Sequence, residues 1–198
     1  MSARGSAAAS TPLAPSPWVM RFATLIRPGG KVLDLAAGHG RHARALADAG
    51  LAVRAVDRDP AALEALRRIA GVCVRAADLE TGAWPFAAAA FDAVVVTNYL
   101  WRPLLPDLVA SLAPDGVLIY ETFGVGNERY GKPSNPQYLL RNGELLEFAH
   151  AFRLTVVAFE SGLVARPGPA VVERICVRRA DARTAPALLD RGTAADTF

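Results

Sequence analysis

A chain of 198 residues with 52% hydrophobic and 21% charged residues is sized for one domain and is too apolar for wholesale disorder. Its 22 basic and 19 acidic residues leave a net charge of +3, scattered along the chain, which argues against nucleic acid as a partner. Two cysteines, Cys73 and Cys176, exclude a disulfide scaffold and a cysteine-built zinc site. Both lie in apolar, strand-like runs and are expected as small buried hydrophobes. No run approaches ~18 apolar residues without charge, so no membrane span is expected.

Residues 1–15, rich in Ala, Ser and Pro, lack the apolar segment of a signal peptide. They are expected as a disordered tail on a cytoplasmic protein. Ser16-Pro17 caps a helix that runs through Ala23, closed off by Pro28-Gly29-Gly30. Lys31 to Leu35 reads as a buried parallel strand. A small-residue turn, Ala36 to Gly40, leads into a helix over 41–49. The rhythm then repeats. Strands are expected at 51–56, 72–75, 91–97 and 117–121. Helices are expected at 61–69, capped by Asp59-Pro60, and at 104–112. The stretch around Trp84-Pro85 and 87–90 reads as loop. Strand–helix alternation through residue 121 argues for a doubly wound α/β sheet. Asn142 is placed to cap a helix ending at His150. The runs 154–159 and 171–177, linked by Arg166 to Pro169, leave no room for a helix between them and should pair as an antiparallel hairpin. Residues 180–198 are expected as a flexible tail, after a domain spanning 16–179.

The chemistry concentrates in Asp34-Leu35-Ala36-Ala37-Gly38-His39-Gly40-Arg41. A strand ending in an acid runs through small residues into a helix N-terminus, which brings a ligand against free backbone N–H groups. The next strand ends in Asp57, where an acid can accept hydrogen bonds from ribose hydroxyls. Gly38-x-Gly40-x-x-Ala43 partly fits a dinucleotide fingerprint. Asp34 opposes that reading, because a carboxylate before the turn repels a pyrophosphate. The ligand implied carries a ribose and an ammonium group and lacks a pyrophosphate.

These residues resemble the first motif of the class I S-adenosylmethionine-dependent methyltransferases, with Ala36 in place of its first glycine. The resemblance covers about residues 16–179. It implies a Rossmann-like, mostly parallel seven-stranded sheet of order 3-2-1-4-5-7-6, with helices on both faces and a C-terminal antiparallel hairpin. It implies S-adenosylmethionine as cofactor, with Asp34 toward the methionine amino group and the backbone of Ala36, Gly38 and Gly40 cradling it. Arg41 would face the cofactor carboxylate, Asp57 the ribose and Arg58 the adenine edge. Asp78 and Leu79 would meet the adenine, and Asn98 would lie where cofactor and acceptor meet. A narrower likeness, on Gly38-His39-Gly40-Arg41, Val56-Asp57 and Gly143-Glu144-Leu145, is to methyltransferases of the tellurite-resistance type, from which the segment 120–136 departs.

The acceptor side is read from the ends of later strands. Tyr99 and Glu121 are the candidate bases for a protonated acceptor. Trp101 is placed to stack on an acceptor. The long loop 123–140 leaves the carboxyl end of the sheet, where open α/β sheets bind ligands. In it Asn127, Arg129 and Lys132 are candidate acceptor ligands, the two cations suiting an anionic acceptor. His39 and His42 lack a third partner at metal-binding spacing, so no metal is expected. The expected function is methyl transfer to a small acceptor, by a monomer or homodimer. A methyltransferase acting on RNA or protein, a cofactor-binding protein without catalysis, and a nucleotide-dependent oxidoreductase remain as alternatives.

Overall fold

The computed structural model describes residues 14–179; the expectations for the two tails fall on 1–13 and 180–198, outside the described residues. Seven strands form one sheet in the order β3-β2-β1-β4-β5-β7-β6. They are β1 (Lys31–Leu35), β2 (Ala52–Asp57), β3 (Val72–Ala76), β4 (Phe91–Thr97), β5 (Leu112–Phe123), β6 (Thr155–Val164) and β7 (Ala170–Arg178). The first five run parallel. β7 pairs antiparallel with both β5 and β6, as the hairpin reading requires.

Alternation along each strand divides the core in two. Leu33, Leu35, Val94, Val96 and Tyr120 face one side, where α4 (Leu105–Ser111) and α5 (Glu144–Ala151) pack through Leu108, Leu145 and Phe148. Val32, Val53, Val95 and Ile119 face the other. There α1 (Pro17–Ala23), α2 (Arg41–Asp48) and α3 (Pro60–Glu64) pack through Trp18, Phe22, Leu46 and Leu63. The Ser16 and Asp59 side chains cap α1 and α3 by accepting from Trp18 N–H and Ala61 N–H.

Several elements depart from the sequence reading. α3 stops at Glu64 rather than at 69. Hydrogen bonds from Leu66 N to Leu63 O and from Ile69 N to Leu66 O turn the chain more tightly there. β5 begins at Leu112, and the Pro114-Asp115-Gly116 turn becomes a bulge inside it: pairing jumps from Phe91–Leu112 to Ala93–Val117. Asn142 does not cap α5. Gly143 takes the cap position at φ 81°, and Glu173 of β7 accepts from Gly143 N–H (2.6 Å) and Leu145 N–H (2.7 Å). Cys73 is exposed rather than buried, because β3 is an edge strand. Cys176 is buried, which pushes its thiol up to about 12.

The connection from β3 to β4 contains no helix. Aromatic residues fill the space. Phe86 packs edge-on to both Trp84 and Phe91, each at 5.3 Å between ring centroids, and the Trp84 indole N–H donates to Ser111 Oγ at 2.9 Å.

Candidate active site

Two adjoining cavities open at the carboxyl ends of the parallel strands. The larger, about 370 Å³, is bounded by Ala36, Asp57, Arg58, Asp78, Leu79 and Tyr99, among others. The smaller, about 180 Å³, includes Asn98, Thr122, Phe123 and Pro133 in its wall. Glu80, Tyr99 and Tyr138 belong to both.

Asp34 lies behind the turn at the end of β1 and is 1% exposed. Neither carboxylate oxygen has a hydrogen-bond partner among the described residues. Burial therefore pushes its carboxyl from 3.8 up to about 7, against the opposing pull of the Ala43 amide and the Arg41 guanidinium. An unpaired buried carboxylate is costly unless a cation completes it.

The turn itself is built for close approach. Ala36 and Gly38 both adopt φ 52°, a conformation natural to glycine but not to alanine. A side chain built at Gly38 would meet no atom within 4 Å, and the Gly38 N–H donates to Asp57 Oδ2 at 2.8 Å. Asp57 Oδ1 accepts from Asp59 N–H at 3.0 Å. Two carboxylate oxygens offer about four acceptor sites, so Asp57 keeps capacity toward the cavity. Gly40 serves packing instead: a Cβ there would fall 2.2 Å from the Leu66 side chain, and its φ is 74°. Asp78 accepts from Glu80 N–H at 2.9 Å, and that bond, with the Thr81 side chain and the charge of Arg58, lowers its carboxyl.

His42, for which the sequence supports no metal, is a strut near the start of α2. It is 2% exposed. Its Nε2 accepts from Ser16 N–H at 3.0 Å, and Nδ1 lies 3.4 Å from Thr97 Oγ1. An accepting Nε2 places the neutral ring's proton on Nδ1. Burial, aided by Arg41, lowers its pKa to about 4. Among the described residues no three His, Cys, Asp or Glu side chains gather as a metal site.

Of the candidate cofactor residues, Ala36, Asp57, Arg58, Asp78 and Leu79 line the larger cavity, and Asn98 the smaller. Asp34, Gly38, Gly40 and Arg41 line neither cavity; the two glycines lie in the turn between β1, which carries Asp34, and α2, which Arg41 starts. The acceptor candidates fare differently. Tyr99 lines both cavities, held there by Tyr120 Oη donating to its carbonyl at 2.9 Å. Its own phenol is pushed up by burial and by Glu80 and Asp78, which favours its neutral, hydrogen-bond-donating form. Glu121 lines neither cavity. Alternation puts it on the sheet face of Ile119, where it pairs with Arg174 at 3.0 Å, itself stacked over Trp18.

Trp101 packs against the apolar core and lines neither cavity. Asn127 is a buried loop clasp, donating to Pro133 O at 3.1 Å and accepting from Val171 N–H at 3.2 Å. Arg129 and Lys132 are exposed and line neither cavity. The sequence reading placed Tyr138 in the acceptor loop without singling it out, and it gave Glu80 no role as a wall residue. For Tyr138 a signal existed: Asn135-Pro136 starts a turn, with Asn135 Oδ1 accepting from Gln137 N–H, that carries the ring back to the cavity.

Residues 32–116 match a family model described as a methyltransferase domain. No curated protein matches the chain in sequence. Among solved structures, a protein from Methanosarcina mazei described among SAM-dependent methyltransferases is 14% identical. The match covers 85% of this chain and 99% of that one, with a TM-score of 0.66. The 1,6-didemethyltoxoflavin-N1-methyltransferase of Burkholderia thailandensis, solved with 1,6-didemethyltoxoflavin and S-adenosylhomocysteine, is 23% identical. It is matched over 83% of this chain and 76% of its own, with a TM-score of 0.63. TehB from Haemophilus influenzae is 15% identical over 81% of this chain, with a TM-score of 0.66, and this chain spans 60% of its length. At such identities the likeness is one of fold. The chain thus has the class I S-adenosylmethionine-dependent methyltransferase fold, with a match to the methyltransferase-domain model over residues 32–116.

Proposed function

We propose that the chain is an S-adenosylmethionine-dependent methyltransferase acting on a small molecule. The observation that carries this reading is Asp34, a buried and unpaired carboxylate directly behind an open turn. Arg41 acts on it only through its charge and no group hydrogen-bonds its oxygens, so an amino-acid ammonium group set against it would complete it. The residues fit the cofactor elsewhere too. Asp57 has acceptor capacity for ribose hydroxyls, and Asp78 and Leu79 offer a polar edge and an apolar face to the adenine. When bound, S-adenosylmethionine supplies an electrophilic methyl group on a sulfonium centre. The chain's part is then to hold the acceptor in line with it, which can contribute several kcal/mol to the rate.

The two cavities support a small acceptor, since the space beyond the larger one is only about 180 Å³. The Burkholderia neighbour, solved with both S-adenosylhomocysteine and 1,6-didemethyltoxoflavin, supports the same reading. The exposed positions of Arg129 and Lys132 favour a neutral or cationic acceptor over an anionic one. Two free cysteines, one of them exposed, fit a reducing cytoplasm. No described helix is long and apolar enough to cross a membrane.

Calorimetric titration with S-adenosylmethionine, S-adenosylhomocysteine and NAD tests the cofactor. Both adenosyl compounds should bind, NAD should not, and Asp57→Asn should weaken binding at least about tenfold, one ribose contact's worth. Binding of NAD alone would sink the proposal.

A further inference from the structure

The smaller cavity has a definite chemistry. Its charged wall residue is Glu80, and no guanidinium or ammonium group lines it among the described residues. Asn98 and Thr122 supply neutral polar groups. Tyr99, Phe123 and Tyr138 supply aromatic surface. Its volume of about 180 Å³ is below the ~300–1,000 Å³ of sites for drug-sized ligands, which suits a molecule of about one ring system. Glu80 also faces the larger cavity, so its carboxylate stands where the two spaces join.

Three contacts hold this junction in shape. Glu80 N–H is fixed on Asp78 Oδ1. Tyr99 is held through its carbonyl, which accepts from Tyr120 Oη at 2.9 Å, and its phenol is kept neutral by burial and by the charge of Glu80. Tyr138 is held by its own backbone, because Arg102 donates to the carbonyls on either side of it, Gln137 O at 2.7 Å and Leu139 O at 3.0 Å. A carboxylate facing a confined space repels an anion and favours an N–H donor. Aromatic side chains favour a flat one.

We infer that the smaller cavity is the acceptor site for a small planar molecule bearing an N–H group, and that the Glu80 carboxylate selects it by accepting that N–H. This rests on the methyltransferase reading above, and it names the acceptor class of that same site. Glu80 is then the specificity-determining residue, and Tyr138 is the wall against which the ring packs.

The test uses the full chain saturated with S-adenosylhomocysteine, titrated calorimetrically at mildly alkaline pH with benzimidazole, a neutral N–H ring, and with benzoate, an anion of similar size. Wild type and Glu80→Gln are compared. Benzimidazole should bind wild type at least about tenfold more tightly than benzoate, and that preference should collapse in Glu80→Gln. Both proteins are titrated at saturating S-adenosylhomocysteine, and an unfolding midpoint within a few degrees of wild type reports that the variant is folded. Equal binding of the two probes, binding of neither, or an unchanged preference in the variant would each overturn the inference. So would loss of S-adenosylhomocysteine binding in Glu80→Gln, which would assign Glu80 to the adenosyl side. Failure of wild type to bind S-adenosylhomocysteine at all would instead remove the functional reading beneath it.

Discussion

Asp34 ties ligand binding to pH. Without a ligand its carboxyl titrates at about 7 because it is buried and unpaired. An ammonium group set against it would restore the ionised form. Below pH 7 the protein must therefore release a proton as the ligand binds, and affinity should fall about tenfold per pH unit of acidification. Above pH 7 it should level off. Asp34→Asn should bind S-adenosylhomocysteine weakly and lose that slope, as calorimetry on either side of neutrality would show; a flat wild-type profile would mean that Asp34 does not meet the ammonium. The positions of Asp34 and Asp57 near the ends of β1 and β2 were legible because strand, acid and small-residue turn are neighbours in the chain. Glu121 was misread although the warning is local: Tyr120 next to it is a core residue on the α4–α5 side, so Glu121 must point the other way. Asn127, Arg129 and Lys132 had no such signal, since their positions depend on how the loop lies across the sheet.

The loop after β5 is fixed from a distance. Arg102 reaches Gln137 O, Leu139 O and both oxygens of Glu144, and Asn127 ties Pro133 to Val171. Removing the guanidinium in Arg102→Ala strands Glu144, whose side chain is 10% exposed. The cost should be about 1–2 kcal/mol, moderated by solvent because the Arg102 side chain is 39% exposed. The effect should be local. Hydrogen exchange at residues 137–140 should accelerate while the amides of β1 and β4 stay protected. Unchanged exchange there would mean that the pairing of Gly124 with Leu140 holds the loop unaided. Elements made by local rules were legible in the sequence: β1 and β4 to the residue, the α1 and α3 caps, and the hairpin that closes the sheet. Elements completed by distant residues were not. The α5 cap comes from Glu173, 30 residues beyond Gly143, and α3 is cut short where tighter turns carry Leu66 into the core against Gly40.

The whole molecule carries two buried groups whose titrations oppose each other. Asp34 has its pKa raised from 3.8 to about 7. Its burial thus costs nothing at low pH and destabilises the ligand-free fold increasingly as pH rises through that window, by up to about 4 kcal/mol. His42 has its pKa lowered from 6.5 to about 4. Its contribution is whole above pH 6.5 and is lost as pH falls toward 4, by up to about 3 kcal/mol. Between pH 4 and 6.5 one group gains on acidification what the other loses, each changing by about 1.4 kcal/mol per pH unit. Asp34→Asn removes one side of that balance. Denaturant unfolding across this range should show the variant more stable than wild type above neutrality, and its advantage should shrink steadily as pH falls. Only this side chain differs between the two proteins, so the difference between the profiles reports Asp34 together with its coupling to Asp57. Parallel profiles would show that the carboxylate is solvated. A converging pair would show that the ligand-free protein gives up stability at its working pH to keep an anion ready for a cationic ligand, and saturating S-adenosylhomocysteine should then return more stability to wild type than to the variant.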